Sequence, residues 1–334
     1  MFQFEIEDKN LYILPKNNNL KFINSKRSKT ILYHKKIVSK DLYDKNRFRY
    51  IFKENINRGG SSIIYLAEDT ITKENVVIKE LQSENKIKFH REINILDICR
   101  TMPNIIKILD FFEKCDKFYI VFPYIECLST RNILYSYDSD KIISFMKTCL
   151  LTLNNIHSNG IIHRDIKPSN ILVKSPSEIY FIDFGISDFY LPFRKFSNKI
   201  GTKNFRSPEQ IVKLKGFDYK IDIWAFGIIF AEAIFQKYPF IKPDEDSVII
   251  EKIAKITGKT KFIQFLDKYN IDRNKYEFIN DLNETGIIQE LCRTNSYAKR
   301  FDLEKIEELL NGLLEIDPDK RLTADNALEL DIFN

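Results

Sequence analysis

Cysteine pairs, histidine clusters and long apolar runs are all missing from this chain. Its five cysteines, Cys99, Cys115, Cys127, Cys149 and Cys292, form no CxxC pair and accompany no cluster of histidines. A disulfide framework and a structural zinc site are thereby excluded, and the expected setting is reducing and intracellular. The most apolar segment, 221–235, is interrupted by Asp222 and by Glu232. It is too short and too charged to span a bilayer, so a buried core helix is expected. The first ten residues, MFQFEIEDKN, are acidic where a secretory leader needs a basic start and an apolar run. The expectation is a protein of the nucleus or cytoplasm with no membrane partner. No internal repeat is evident, and Asn17-Asn18-Asn19 is the only hint of low complexity.

What the chain does have is length and apolar content: 334 residues at 44% apolar can bury one large core or two modest ones joined by a hinge. Net charge is +5, unevenly placed. Residues 1–50 hold twelve Lys/Arg against five Asp/Glu, so this stretch carries +7 and the remainder −2. One reading is a solvated, partly disordered arm in a chain rich in Lys, Asn and Ile. The other is an extension that docks a protein or contacts nucleic acid. Residues 1–48 are taken as this basic N-terminal extension.

Between Tyr50 and Ile78, short alternating apolar runs are broken by Gly59-Gly60 and by a polar turn at 68–75, the pattern of antiparallel strands. Residues 84–100 switch to helical spacing, with Ile87, Ile93, Ile95, Leu96 and Cys99 apolar. Strand signals return at 105–112 and 118–124. Beyond residue 128 the pattern is mostly helical, at 141–158, 220–235, 247–257, 303–315 and 323–330. The expected fold class is α+β in two lobes. A small antiparallel lobe with one helix covers 49–122, a hinge at 123–127 begins where Pro123 ends a strand, and an α-rich lobe covers 128–334.

The most informative stretch is His163-Arg164-Asp165-Ile166-Lys167-Pro168-Ser169-Asn170, with Asp183-Phe184-Gly185 beginning thirteen positions after Asn170. It sets a candidate base, a phosphate-binding Lys and two metal-binding side chains in one loop–strand–loop unit. Phosphoryl transfer needs that clustering, because its loose transition state depends on positioned charge more than on covalent chemistry. Either triplet alone recurs by chance. Their joint occurrence, in order with Lys79 and Glu92 upstream and Ser207-Pro208-Glu209 downstream, leaves chance little room.

On these motifs residues 49–334 resemble the eukaryotic protein kinase superfamily, and the resemblance implies a bilobal kinase domain that uses ATP and Mg2+. Val76-Val77-Ile78-Lys79 is similar to the VAIK strand, whose Lys holds the phosphates, and Glu92 follows it by thirteen residues in the expected helix as its ion-pair partner. Asp165 is implied as the base and Lys167 as the cation on the migrating phosphoryl, while Asn170 and Asp183 are implied as the metal ligands. The Gly-rich hairpin is degraded: Asn57-Arg58-Gly59-Gly60-Ser61-Ser62 keeps only the middle glycine. Asn57 is expected to preserve the turn, since Asn tolerates left-handed backbone, and Ser62 is small enough to leave the hairpin open. Asn57, Gly59, Ser62, Ile64, Val77, Lys79, Phe122, Tyr124, Ile125 and Asp183 are the expected ATP-binding residues, with Phe122 as gatekeeper. Glu209 is implied to pair with Arg321, and Asp222 to hold the backbone of the His-Arg-Asp loop.

Lys167 followed by Pro168 resembles the Ser/Thr-directed subgroup. With every catalytic position filled, an inactive pseudokinase scaffold is the minority alternative. Two branches compete within the superfamily. Asp188-Phe189-Tyr190-Leu191-Pro192, Lys252–Gly258 and Asp267–Ile271 are similar to segments of the casein kinase II catalytic subunit. The replication-initiating cell-division-cycle kinase is resembled at Ser62, at Tyr65-Leu66-Ala67, at the hinge Phe122–Glu126, at KPSN, at DFG and at the GTxxFRxPE frame, Gly201–Glu209. That branch, with its place in the cell cycle and DNA replication, is the favoured one; its long inserts are missing from this chain. Both branches are acid-directed. Lys199, Thr202, Lys203 and Arg206 are therefore the expected substrate-binding residues, the cations facing acidic residues just after the acceptor. A regulatory subunit is an expected partner, and Ser197 is left open as a phosphorylation site.

Overall fold

The computed structural model describes residues 49–82, 86–127, 129–191, 200–214 and 216–333. The basic extension, Ser197 and Lys199 lie outside the described residues.

The N-terminal part is a five-stranded antiparallel sheet in the order β1-β2-β3-β5-β4. The strands are β1 (Tyr50–Arg58), β2 (Ser62–Asp69), β3 (Asn75–Leu81), β4 (Asp110–Lys114) and β5 (Lys117–Pro123). Period-2 alternation gives the sheet two different faces. Val76, Ile78, Tyr119 and Val121 join Tyr50, Ala67 and Phe112 in one buried cluster. The other face carries Val77 opposite Phe122 and Lys79 opposite Ile120. Against it packs helix α1 (Lys86–Ile98), whose fully buried Phe89 stacks on Phe118 at 4.5 Å. The helix ends in a short 3-10 turn at Cys99–Thr101.

The strand expected at 105–112 starts late, because Ile105 is drawn into an isolated bridge with Phe181 of the second lobe. Asn57 corrects another expectation. β1 continues through Arg58, and Asn57 lies extended opposite Ile64, next to a bulge. The turn is instead closed by Gly59 N donating to Ser62 O at 2.9 Å. Strand pairing held the Asn backbone where a left-handed turn was expected.

The C-terminal part is built on helices. α2 (Thr130–Ser136) and α3 (Ser139–Ser158) come first, the latter capped by Asp138, which accepts from Lys141 N at 2.9 Å. Its apolar stripe, Ile142, Phe145, Met146, Cys149, Leu150, Leu153 and Ile156, is wholly buried. Two small pairings follow: β6 (Ile161–Ile162) with β9 (Asp188–Phe189), and β7 (Ile171–Ser175) with β8 (Glu178–Phe181). The later helices are α4 (Pro208–Ile211), α5 (Lys220–Phe235), α6 (Asp246–Thr257), α7 (Lys259–Lys268), α8 (Ile288–Thr294), α9 (Leu303–Leu313) and α10 (Ala324–Leu328). Every residue of α5 from Ile221 to Phe235 is buried, so the most apolar segment is the core helix of this lobe. Among the described residues no helix is long and apolar enough to cross a membrane.

Candidate active site

The site forms where β3, α1 and the loops around β6–β9 meet. Lys79, on the inner face of β3, is 5% exposed. Its Nζ donates to Glu92 Oε1 at 2.6 Å and to Asp183 Oδ1 at 2.7 Å. Burial alone would lower the ammonium's pKa, but the two carboxylates outweigh it and hold Lys79 charged, above its ordinary value. Burial would conversely raise Asp183, and the neighbouring Lys79 keeps it below the usual carboxylate range. Gly185 allows this approach, since a Cβ there would lie 2.9 Å from Lys79 Nζ.

The loop after β6 carries the second cluster. Asp165 Oδ1 accepts from Thr202 N at 3.0 Å and from Thr202 Oγ1 at 2.8 Å. Its Oδ2 lies 2.7 Å from Lys167 Nζ and accepts from Asn170 Nδ2 at 3.0 Å. Lys167 Nζ also donates to Thr202 Oγ1 at 3.1 Å. A base, a cation and a hydroxyl are thus assembled within hydrogen-bond reach of one another. His163 is fully buried, and burial depresses its pKa so that the imidazole stays neutral. With Nε2 donating to Ile182 O at 3.1 Å and Nδ1 accepting from Asp165 N at 3.3 Å, it joins the two motifs. It also lies 4.7 Å from the Phe184 ring.

The loop is anchored from below by α5. Asp222 Oδ1 accepts from Arg164 N at 2.8 Å, and Oδ2 accepts from His163 N at 2.8 Å and meets His157 Nε2 at 3.0 Å. Arg164 holds a left-handed φ of 68°, a conformation that costs a non-glycine residue about 1–3 kcal/mol and persists only when its surroundings over-determine it. Gly201, with φ +86°, packs against it, where a Cβ would come 2.6 Å from Arg164 O. The expected structural pair is also formed: Arg321 Nη1 and Nη2 donate to Glu209 Oε1 and Oε2 at 2.7 and 2.9 Å, both side chains buried.

Around the nucleotide positions the structure brings Ile64 opposite Lys79 and Val77 opposite Phe122. Phe122 is 9% exposed, Ile125 half-buried and Tyr124 exposed. Gly59 is exposed at the hairpin turn, and Ser62 is buried at the start of β2. The expected substrate residues separate. Thr202 sits on Asp165, whereas Lys203 is exposed and its Nζ lies 3.4 Å from Asp244 O. Arg206 donates through Nε and Nη2 to Gly201 O at 3.0 and 2.9 Å, a structural engagement.

Asp183 and Asn170 supply hard oxygen donors of the kind magnesium takes. Asn170 turns its Nδ2 to Asp165 O and Oδ2, leaving Oδ1 as its acceptor for a cation. Among the described residues no three His, Cys, Asp or Glu side chains form a complete cage. Sequence reasoning missed Arg91, Arg164 and Asp188, which meet near the site. Their individual motifs were visible, but no local signal reports a contact across 97 positions.

These features define a protein kinase. Residues 50–333 match the protein kinase domain model, and the chain belongs to the eukaryotic serine/threonine protein kinase superfamily, the ATP-dependent transferases. Among curated proteins it is 32% identical over 303 residues to a probable serine/threonine-protein kinase of Dictyostelium discoideum, covering 86% of this chain and 48% of that one. It is 31% identical over 290 residues to a probable casein kinase II subunit alpha homolog of Encephalitozoon cuniculi, covering 85% of this chain and 88% of that protein. The chain thus spans about half the length of the Dictyostelium relative.

Proposed function

We propose that this chain transfers the γ-phosphoryl of ATP to Ser or Thr of proteins whose acceptor is followed by acidic residues. The observation that carries the chemistry is the Asp165–Lys167–Thr202 constellation beside the Lys79–Glu92–Asp183 cluster. Asp165 accepts the hydrogen bond of the acceptor hydroxyl and takes its proton late in transfer. Lys167 neutralises the migrating group, and Lys79, positioned by Glu92, holds the phosphates. Asn170 and Asp183 would hold magnesium, which when bound would neutralise phosphate charge. The adenine lies between the lobes near Val77, Phe122 and the backbone at Tyr124 and Ile125.

Acidic specificity is supported by Lys203, which is exposed on the segment leading to Ser207-Pro208-Glu209, and Lys199, outside the described residues, is proposed to share that role. Arg206 has a weaker claim, since it engages Gly201. The cell-division-cycle branch, with a role in DNA replication, rests on the motif set. The second reading, a casein-kinase-II-like catalytic subunit, is favoured by the similarity to the Encephalitozoon protein. A regulatory subunit fits both readings, and co-purification from the native cell separates them. The basic stretch 1–48 is proposed to dock a protein or nucleic acid.

A peptide series with Ser followed by acidic, neutral or basic residues tests specificity. The expected order of kcat/KM is acidic, then neutral, then basic, and Lys199→Glu with Lys203→Glu flattens or reverses it. A proline-directed or basophilic order removes both branches.

A further inference from the structure

Helix α2 (Thr130–Ser136) starts just after the hinge, and its first residue is fixed to the active loop. Thr130 Oγ1 donates to the backbone oxygen of Ile171, the residue that follows Asn170. The next residue, Arg131, is exposed, and its guanidinium carbon lies 3.2 Å from the centroid of the Tyr238 ring. Among the described residues its side chain makes no ion pair and no hydrogen bond. Stacking on an aromatic face fixes the plane of a guanidinium and leaves its N–H edges open to a ligand. Tyr135 stands four positions on, on the same face of the helix, and both it and Tyr238 are 39% exposed.

This corner of the molecule is cationic on its outside. Neither α2 nor the turn 236–240 contains an acidic residue, and Lys237 beside Tyr238 is exposed. Glu232, near the end of α5, is 5% exposed and faces inward, where it accepts from Phe240 N at 3.1 Å. Burial raises its carboxyl to about 7. It therefore offers nothing to a basic side chain arriving from solvent. Gln236 Nε2, donating to Leu134 O at 3.3 Å, braces α2 against the turn and so holds Arg131 over Tyr238.

The direction of a bound substrate follows from the active loop. Asp165 turns Oδ1 to Thr202 and Oδ2 to Asn170. In the proposed function the residues after the acceptor run along Thr202 and Lys203. Those before it leave on the opposite side of Asp165, past Asn170 and Ile171, and α2 borders that exit through the bond to Ile171 O.

We propose that Arg131, stacked on Tyr238 and flanked by Tyr135, is a second specificity determinant, an anion subsite for a carboxylate or phosphate side chain lying before the acceptor. The inference rests on the transferase reading and extends its substrate class to anionic side chains on both sides of the acceptor.

The test uses the full-length chain and peptides with one Ser acceptor and constant Asp residues after it. Ala, Asp, phosphoserine or Arg is placed at each single position from one to five before the acceptor, and kcat/KM is measured for each peptide. At one or two of these positions Asp is expected to exceed Ala about fivefold, the scale of one exposed charge pair, mainly through KM, with Arg below Ala. Phosphoserine above Asp assigns the subsite to a previously phosphorylated substrate, and Asp at or above phosphoserine assigns it to a carboxylate. Arg131→Glu should invert the order at those positions, so that Arg exceeds Asp, a gain that misfolding cannot imitate. Arg131→Lys, which keeps the charge and loses the planar stack, should retain part of the Asp-to-Ala ratio. A native enzyme indifferent to charge before the acceptor, or one favouring Arg there, would overturn the proposal. So would Arg131→Glu with the native Asp-to-Ala ratio. Because transfer to the Ala peptide reports the activity itself and only the ratios report the subsite, failure of the one is told apart from failure of the other.

Discussion

Asp222→Asn is the substitution that best separates the fold from the geometry of its active loop. The carboxylate of Asp222 is 1% exposed and receives two backbone donors on opposite oxygens, Arg164 N on Oδ1 and His163 N on Oδ2, each at 2.8 Å. An amide of the same shape keeps one acceptor. Whichever way it turns, its NH2 faces one of those N–H groups, leaving a buried donor without a partner. The loss of one charge-assisted bond with an orphaned donor is worth about 3 kcal/mol, roughly a hundredfold in the folding constant. Catalysis should suffer too. Arg164 is held at φ 68° by these bonds, and once released it relaxes toward negative φ and carries Asp165 with it. A displacement of about 1 Å lowers kcat by about 100-fold. Urea unfolding followed through Trp224, the single tryptophan and fully buried, reports the stability loss, and steady-state transfer reports kcat. A variant destabilised by that amount but retaining native kcat would show that the anchor serves the fold alone. One unchanged in both would refute the hydrogen-bond argument.

Asp165→Asn and Asp183→Asn should each lower transfer about 10³-fold or more by removing charge around the phosphates, with the fold retained in circular dichroism. Lys79→Met should do the same to activity, but it strips the buried Glu92 of its partner and so also lowers the thermal midpoint. Phe122→Gly should admit an N6-substituted ATP that the native enzyme rejects, because Phe122 and Val77 face each other across β3 and β5; equal use of the analogue by the native enzyme contradicts this. The last concerns pH. The hydrogen-bonded Arg49 guanidinium holds Asp69 down at about 2, below its unfolded value of about 4, so its contribution of about 2 kcal/mol is complete above that unfolded value. It is lost as pH falls toward 2, so Asp69→Asn should be less stable at pH 7, with roughly half the gap gone by pH 3 in urea midpoints.

Much of the site could be read in the chain because its chemistry is local. His163 to Asn170 form one loop, and Asp183-Phe184-Gly185 follows a short hairpin, so the motifs and the resemblance they carry were enough to name the expected base, cation and metal ligands in order. The helix over 220–235 was legible as a buried core element from its apolar content, and the antiparallel first lobe from period-2 alternation. Local reading failed where distant backbone competed. Pairing with β2 kept Asn57 extended, and the bridge to Phe181 shortened the strand expected from Ile105. Helices α2, α4 and α8 were not foreseen, since runs of seven residues or fewer carry little periodic signal, and α7 was missed although Phe262, Phe265 and Leu266 recur at helical spacing. The sequence by itself determined which residue types are available to act on phosphate, since those are covalently present at fixed spacing. Only the tertiary structure decided which charges meet. Arg91, Arg164 and Asp188 are up to 97 positions apart, and ion pairing depends on distance in space and exclusion of water, neither of which sequence order records.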